Sequence, residues 1–259
     1  MTDSNRFDDH GTPKAGIDLG KHKPRFMTIL RVIEWSVAGF IILLLVALLL
    51  PAQLRVHNAP RRSRCKNTLR QIELALHNYY DTYQAFPPAY TVDANGQPLH
   101  SWRTLLLPYL DQKAIYDKID LSKAWNDPVN REAFNTNLMA FSCPATAAPA
   151  NQTTYLAVVG EGNGFSPTRS RTFDEFSDGT SSTMMIVEVP TTAAVHWMAP
   201  VDADEKLILG IGTQSKLVHQ GGIHIGLADG TVRFLSVNTS AATRHALMTI
   251  AGHDEPGDF

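Results

Sequence analysis

At 259 residues, 44% hydrophobic and 19% charged, the chain is long enough for one ordinary domain with a real core and does not need two. The net charge of −2 hides an asymmetry: residues 1–70 carry twelve Lys/Arg against five Asp/Glu, and the remainder carries eleven against twenty. The basic end abuts an apolar run and lacks interleaved aromatics, which points to anionic lipid head groups and away from nucleic acid as its partner. Neither of the two cysteines lies in a CxxC motif, which excludes a paired zinc or thioredoxin-like reading.

Met1 to Lys23 is polar with little periodicity and is expected to be a disordered tail. From Pro24 the pattern becomes helical, with Arg31 and Glu34 one turn apart. Trp35 to Leu54 then has no charge and is apolar apart from Ser36 and Gln53. A helix rises about 1.5 Å per residue, so about 20 apolar residues cover a hydrocarbon core of roughly 30 Å. Residues 24–54 are therefore expected to form a single transmembrane anchor. The run is longer than the apolar region of a cleaved signal peptide, typically about 7–15 residues.

The head is expected over residues 55–252. Cys65, Leu69, Ile72, Leu76, Tyr79 or Tyr80, and Tyr83 recur at helical spacing, and Phe86-Pro87-Pro88 stops the pattern. Arg64, Lys66, Arg70, Glu73 and Asn78 fall on the opposite, polar face, and His77 is expected at or near the surface. Asp93-Ala94-Asn95-Gly96 is a turn signal. Trp102 to Ile119 has helical spacing broken at Pro108, and residues 144–153 read as an exposed linker. Tyr155–Val159, Met184–Val189, Ile223–Leu227 and Val232–Val237 read as strands, the last two joined as a hairpin through Asp229-Gly230. A helix over Ala241–Ile250, capped by Thr239 or Ser240, precedes a tail, 253–259, expected to fray.

Glu188, His196, His219, His224 and Asp229 are residue types that bind metal, but no ligand spacing ties them together. Structural histidines are the expectation, with no metal, no cofactor and no catalytic residue. Gly160-Glu161-Gly162-Asn163-Gly164 is followed by Phe165-Ser166-Pro167 rather than a helix, which argues against a phosphate loop. Trp102, Trp125 and Trp197 are candidates for stacking on a sugar, although core packing is the commoner use of aromatics.

Several motifs occur in a characteristic order: Arg64-Cys65-Lys66-Asn67-Thr68-Leu69-Arg70-Gln71-Ile72, Ser101-Trp102-Arg103, Phe141-Ser142-Cys143-Pro144, Asp178-Gly179-Thr180-Ser181-Ser182-Thr183, His219-Gln220-Gly221-Gly222 and Ala228-Asp229-Gly230-Thr231. Together they resemble the bacterial domain-of-unknown-function family numbered fifteen fifty-nine. The resemblance implies a pseudopilin-like envelope protein of the inner membrane, without established catalysis, whose partners are lipid and other envelope proteins or a secretion apparatus. It singles out His219, Gly221, Gly222, Asp229 and Gly230, whose glycines suit a bulge and a hairpin. The Gly-Phe-Thr leader with a following Glu that is usual in the family is missing here, so a retained single-pass anchor is expected rather than cleavage. Basic residues flank the apolar run on both sides, and their count alone favours a cytoplasmic head. The cysteines and the resemblance favour a head outside, which is the preferred orientation. There a Cys65–Cys143 disulfide would add about 4 kcal/mol by loop-closure entropy; two free thiols in a reducing compartment are the alternative. The fold class expected is α+β: one membrane helix, then an amphipathic helix packed on a mostly antiparallel sheet.

Overall fold

The computed structural model describes residues 25–56, 58–146, 148–257 and 259, with backbone alone at 25–28, 30, 48–56 and 58–60. The expected tail of residues 1–23 lies outside the described residues. The chain divides into two compact units, Met1–His57 and Asn58–Phe259.

The first unit contains helix α1, Arg25–Val56. Its described side chains from Arg31 to Ala47 are exposed. Among the described residues no helix is long and apolar enough to cross a membrane. The expected span, Trp35 to Leu54, runs past Ala47, so residues 48–54 lie outside the side chains described.

The second unit opens with helix α2, Asn58–Tyr83. Its expected stripe is buried at Cys65, Leu69, Ile72 and Leu76, and Ala75 joins it. Glu73, expected on the polar face, is buried as well, while Leu74 is exposed. Helical geometry gives the reason, because Glu73 lies four residues after Leu69 and three before Leu76 and so stands in the apolar stripe. The helix ends one residue before Gln84, whose φ of 57° is left-handed and whose N–H donates to the Tyr80 carbonyl at 2.7 Å. The two prolines only prevent a restart.

The strands are β1 (Tyr90–Val92), β2 (Pro98–Ser101), β3 (Gln152–Thr153), β4 (Tyr155–Ala157), β5 (Met184–Glu188), β6 (Val195–His196), β7 (Gly222–Leu227) and β8 (Val232–Ser236). The main sheet has the order β4-β5-β7-β8 and is antiparallel throughout. β1 pairs with β2 around the expected turn, where Gly96 takes φ 78° and the Asp93 carboxylate accepts from the Asn95 and Gln97 N–H groups. β3 pairs with β6, so the last two residues of the expected linker form a strand, with Thr153 buried.

The sheet separates two apolar layers. One gathers α2, Trp102, Phe141, Tyr155 and Ala157. The other gathers Leu156, Val187, Ile223, Ile225 and Leu227 with Ile208 from the short helix Glu205–Leu209 and Leu247, which follows the short helix Ala241–Ala246. A register irregularity between Met184 and Ile186 lets Met185 and Ile186 both face the α2 layer. The expected helix over Trp102–Ile119 is three short pieces, Trp102–Leu105, Leu107–Leu110 and Lys113–Tyr116, with Asp111 left-handed between the last two. The tail expected to fray is tied down in part: Asp178 accepts from the N–H groups of Gly252 and His253, and the Arg233 guanidinium lies 4.9 Å from the Phe259 ring centroid.

A buried carboxylate and imidazole cluster beside a disulfide

Cys65 on α2 is bonded to Cys143, with their Cα atoms 5.1 Å apart and a sequence separation of 78. The bond pins the first third of α2 to the loop after the turn Met139–Phe141. The Cys65 carbonyl also accepts from the Tyr155 hydroxyl at 3.1 Å, which ties α2 to β4.

Glu188, the last residue of β5, points into the same layer. Its Oε2 accepts from the His224 backbone N–H at 3.2 Å and lies 3.0 Å from His224 Nδ1. A carboxylate only accepts, so His224 carries its proton on Nδ1. The other oxygen, Oε1, lies 3.4 Å from His219 Nε2 but has no aligned hydrogen-bond partner. His219 Nε2 is in turn 4.0 Å from Cys143 Sγ. The three side chains are 0%, 5% and 1% exposed for Glu188, His219 and His224, so the cluster is closed to solvent. Burial alone pushes the Glu188 carboxyl up, but His219 and His224 beside it outweigh that and hold it below its ordinary value. Glu188 is therefore an anion at neutral pH.

Two glycines bring His219 into place. Gly221 has φ 85°, the left-handed region that favours glycine, and its carbonyl accepts from the Val237 N–H. Gly222 must be small for another reason: a Cβ there would run into the Leu235 carbonyl and sit 2.7 Å from Cε1 of Phe234. The His219-Gln220-Gly221-Gly222 motif is thus a tight reversal into β7 that lays the imidazole over Glu188. Asp229 and Gly230 make a separate structure, the β7–β8 hairpin, where Gly230 has φ 80° and Asp229 Oδ1 accepts from the Thr231 N–H and hydroxyl.

The remaining candidates lie elsewhere. His196 places Nε2 3.0 Å from the Phe134 carbonyl and stacks on the Phe134 ring at 4.2 Å. Trp102 and Trp197 are buried, their indole N–H groups donating to Asp202 and to the Thr136 carbonyl, so neither offers a face to a sugar. Trp125 is half-buried and stacks on Phe134 at 5.7 Å.

Sequence reasoning placed Arg103 in a motif but gave it no role. This wholly buried guanidinium donates to Asp202 at 2.7 Å and to the carbonyls of Tyr155, Trp197, Ala199 and Val201. It ties three separate stretches of the head together with every nitrogen partnered.

Residues 56–169 match the model of a family described as Protein of unknown function (DUF1559), the family that the motifs resemble. The segment includes α2, both cysteines and β1–β4; Glu188, His219 and His224 lie beyond it. No curated protein and no solved structure matches the chain.

Proposed function

We propose that this is a membrane-anchored cell-envelope protein whose pseudopilin-like head lies outside the cytoplasm and acts as a structural or docking element rather than as a catalyst. The observation that carries the reading is the Cys65–Cys143 disulfide. Such bonds persist in oxidising compartments and are rare in a reducing cytosol. The uncharged sequence from Trp35 to Leu54 supplies the anchor in this reading, and basic residues on both sides of it meet the lipid head groups. A long helix laid on an antiparallel sheet is also what a pseudopilin-like head requires. The non-catalytic part rests on closure, since the groups best suited to chemistry, Glu188, His219 and His224, are shut off from solvent. Other heads of this kind, or a secretion apparatus, are the partners proposed.

The native cysteines are too buried to report on location, so the test uses Val129→Cys, at a position 56% exposed. Intact cells are treated with a membrane-impermeant maleimide. Labelling without lysis is the expected result. Labelling only after lysis would put the head in the cytoplasm and end the envelope reading.

A further inference from the structure

We propose that Cys65, Cys143, His219 and Glu188 form a second state of this head, in which the reduced cysteines and the two neighbouring side chains bind one divalent transition metal, zinc being the best fit. One ligand atom from each of the four residues already lies within 4.8 Å of all the others, and all four residues are buried. A tetrahedral zinc with bonds of about 2.0 Å to nitrogen or oxygen and about 2.3 Å to sulfur separates its ligand atoms by roughly 3.3–3.8 Å. Two of the required separations are close to that in the oxidised head: 3.4 Å from Glu188 Oε1 to His219 Nε2, and 4.0 Å from His219 Nε2 to Cys143 Sγ. The sulfur pair alone is too close, because it is bonded.

Two independent features favour a cation over a chance cluster. Glu188 Oε1 is a buried oxygen without a hydrogen-bond partner, and it faces the other ligand atoms. A buried acceptor of this kind calls for a partner, and a metal ion would supply one. Its sister oxygen is fixed by the His224 N–H and Nδ1, the outer-shell support that orients a ligating carboxylate. Two thiolates, one carboxylate and a neutral imidazole also suit zinc in ligand number and type.

The interconversion balances. An external dithiol gives two electrons and two protons to the disulfide, becoming a disulfide itself and leaving two protein thiols. Metal binding then releases those two protons as the thiolates coordinate. The head thus has two alternative cross-links at the same place, a covalent one when oxidised and a metal-mediated one when reduced. Metal in the reduced state replaces the tie between α2 and the loop that carries Cys143.

The experiment uses the full chain in detergent micelles, reduced anaerobically with a phosphine that is then removed. Co2+ is added as a spectroscopic probe and displaced by Zn2+. The expected result is one metal per reduced chain, with thiolate-to-cobalt charge-transfer absorption and the visible bands of a tetrahedral site, and none in the oxidised chain. His219→Gln should weaken binding by about tenfold or more. X-ray absorption on the wild-type zinc form should count two sulfur and two nitrogen or oxygen neighbours, a readout that needs no variant to fold. A reduced chain that takes up no stoichiometric metal, folded or not, overturns the proposal. So does equal binding by the oxidised chain, or a shell of sulfur alone.

Discussion

Gly226 faces the one acidic side chain buried on α2, and Gly226→Ala tests whether that contact governs how helix and sheet meet. A Cβ built at Gly226 would fall on the Glu73 carboxylate, 2.6 Å from Cδ and 2.9 Å from Cγ. The backbone there is not left-handed, so alanine meets no conformational penalty of its own. The whole cost comes from displacing a buried side chain in a packed layer, about 1–3 kcal/mol. With Glu73→Ala as the background the obstacle is gone, and alanine in place of glycine should be neutral or should gain up to about 1 kcal/mol from the stiffer unfolded chain. The coupling between the two sites is then about 1–4 kcal/mol, against the roughly 0.5–3 kcal/mol usual for residues in contact. Guanidinium unfolding of the four species, followed by the fluorescence of the buried Trp102 and Trp197, measures it. If Gly226→Ala costs the same with and without Glu73, the glycine does not make room for the carboxyl, and the packing argument fails.

Glu73 also carries a pH signature. Burial first, and the Asp229 charge second, push its carboxyl well above the ordinary value, so its contribution is fully present below the unfolded pKa and is lost as pH rises toward the folded one. Glu73→Gln should flatten that decline in a stability-versus-pH series. Glu175 has the opposite sign: partial burial pushes it up, but hydrogen bonds from Arg169, the Thr172 N–H and Arg171 outweigh this and hold it at about 2. Its stabilisation, about 2 kcal/mol once partial exposure is allowed for, is present above the unfolded pKa and is lost as pH falls from about 4.5 toward 2; Glu175→Gln should remove that acid limb. Replacing both cysteines with serine opens a cross-link spanning 78 positions and should lower the unfolding free energy by about 4.5 kcal/mol in denaturant titrations. Asp202→Asn leaves the Arg103 charge buried without its counter-ion and should cost about 3–5 kcal/mol by the same assay.

The elements that sequence reading places well are those whose cause is local. Cys65, Leu69, Ile72 and Leu76 declare α2 because one helix face repeats every three or four residues. Asp229-Gly230 declares the β7–β8 hairpin because a left-handed residue is needed at that turn. Polarity misled where local and tertiary demands part company. Glu73 reads as a surface acid, yet its position in the stripe was visible, and so was the glycine two residues after His224 on the face of β7 that receives it. Arg103 left no such signal, because its acceptors come from carbonyls 52 to 98 positions away and exist only once the head has closed.

The cluster at Glu188 follows the same logic. Its glycines announce a reversal at Gly221-Gly222, but what His219 meets there is decided by strand register. β5 pairs with β7 through Val187 and Ile225. That pairing carries the next residue, Glu188, to the level of His224, 36 positions away in sequence, while the reversal returns His219 over both. A one-residue slip in the β5–β7 register would send Glu188 to the opposite face and leave both imidazoles without their carboxylate. The cluster therefore depends on the register of the sheet, while the disulfide beside it ties α2 to the loop that carries Cys143.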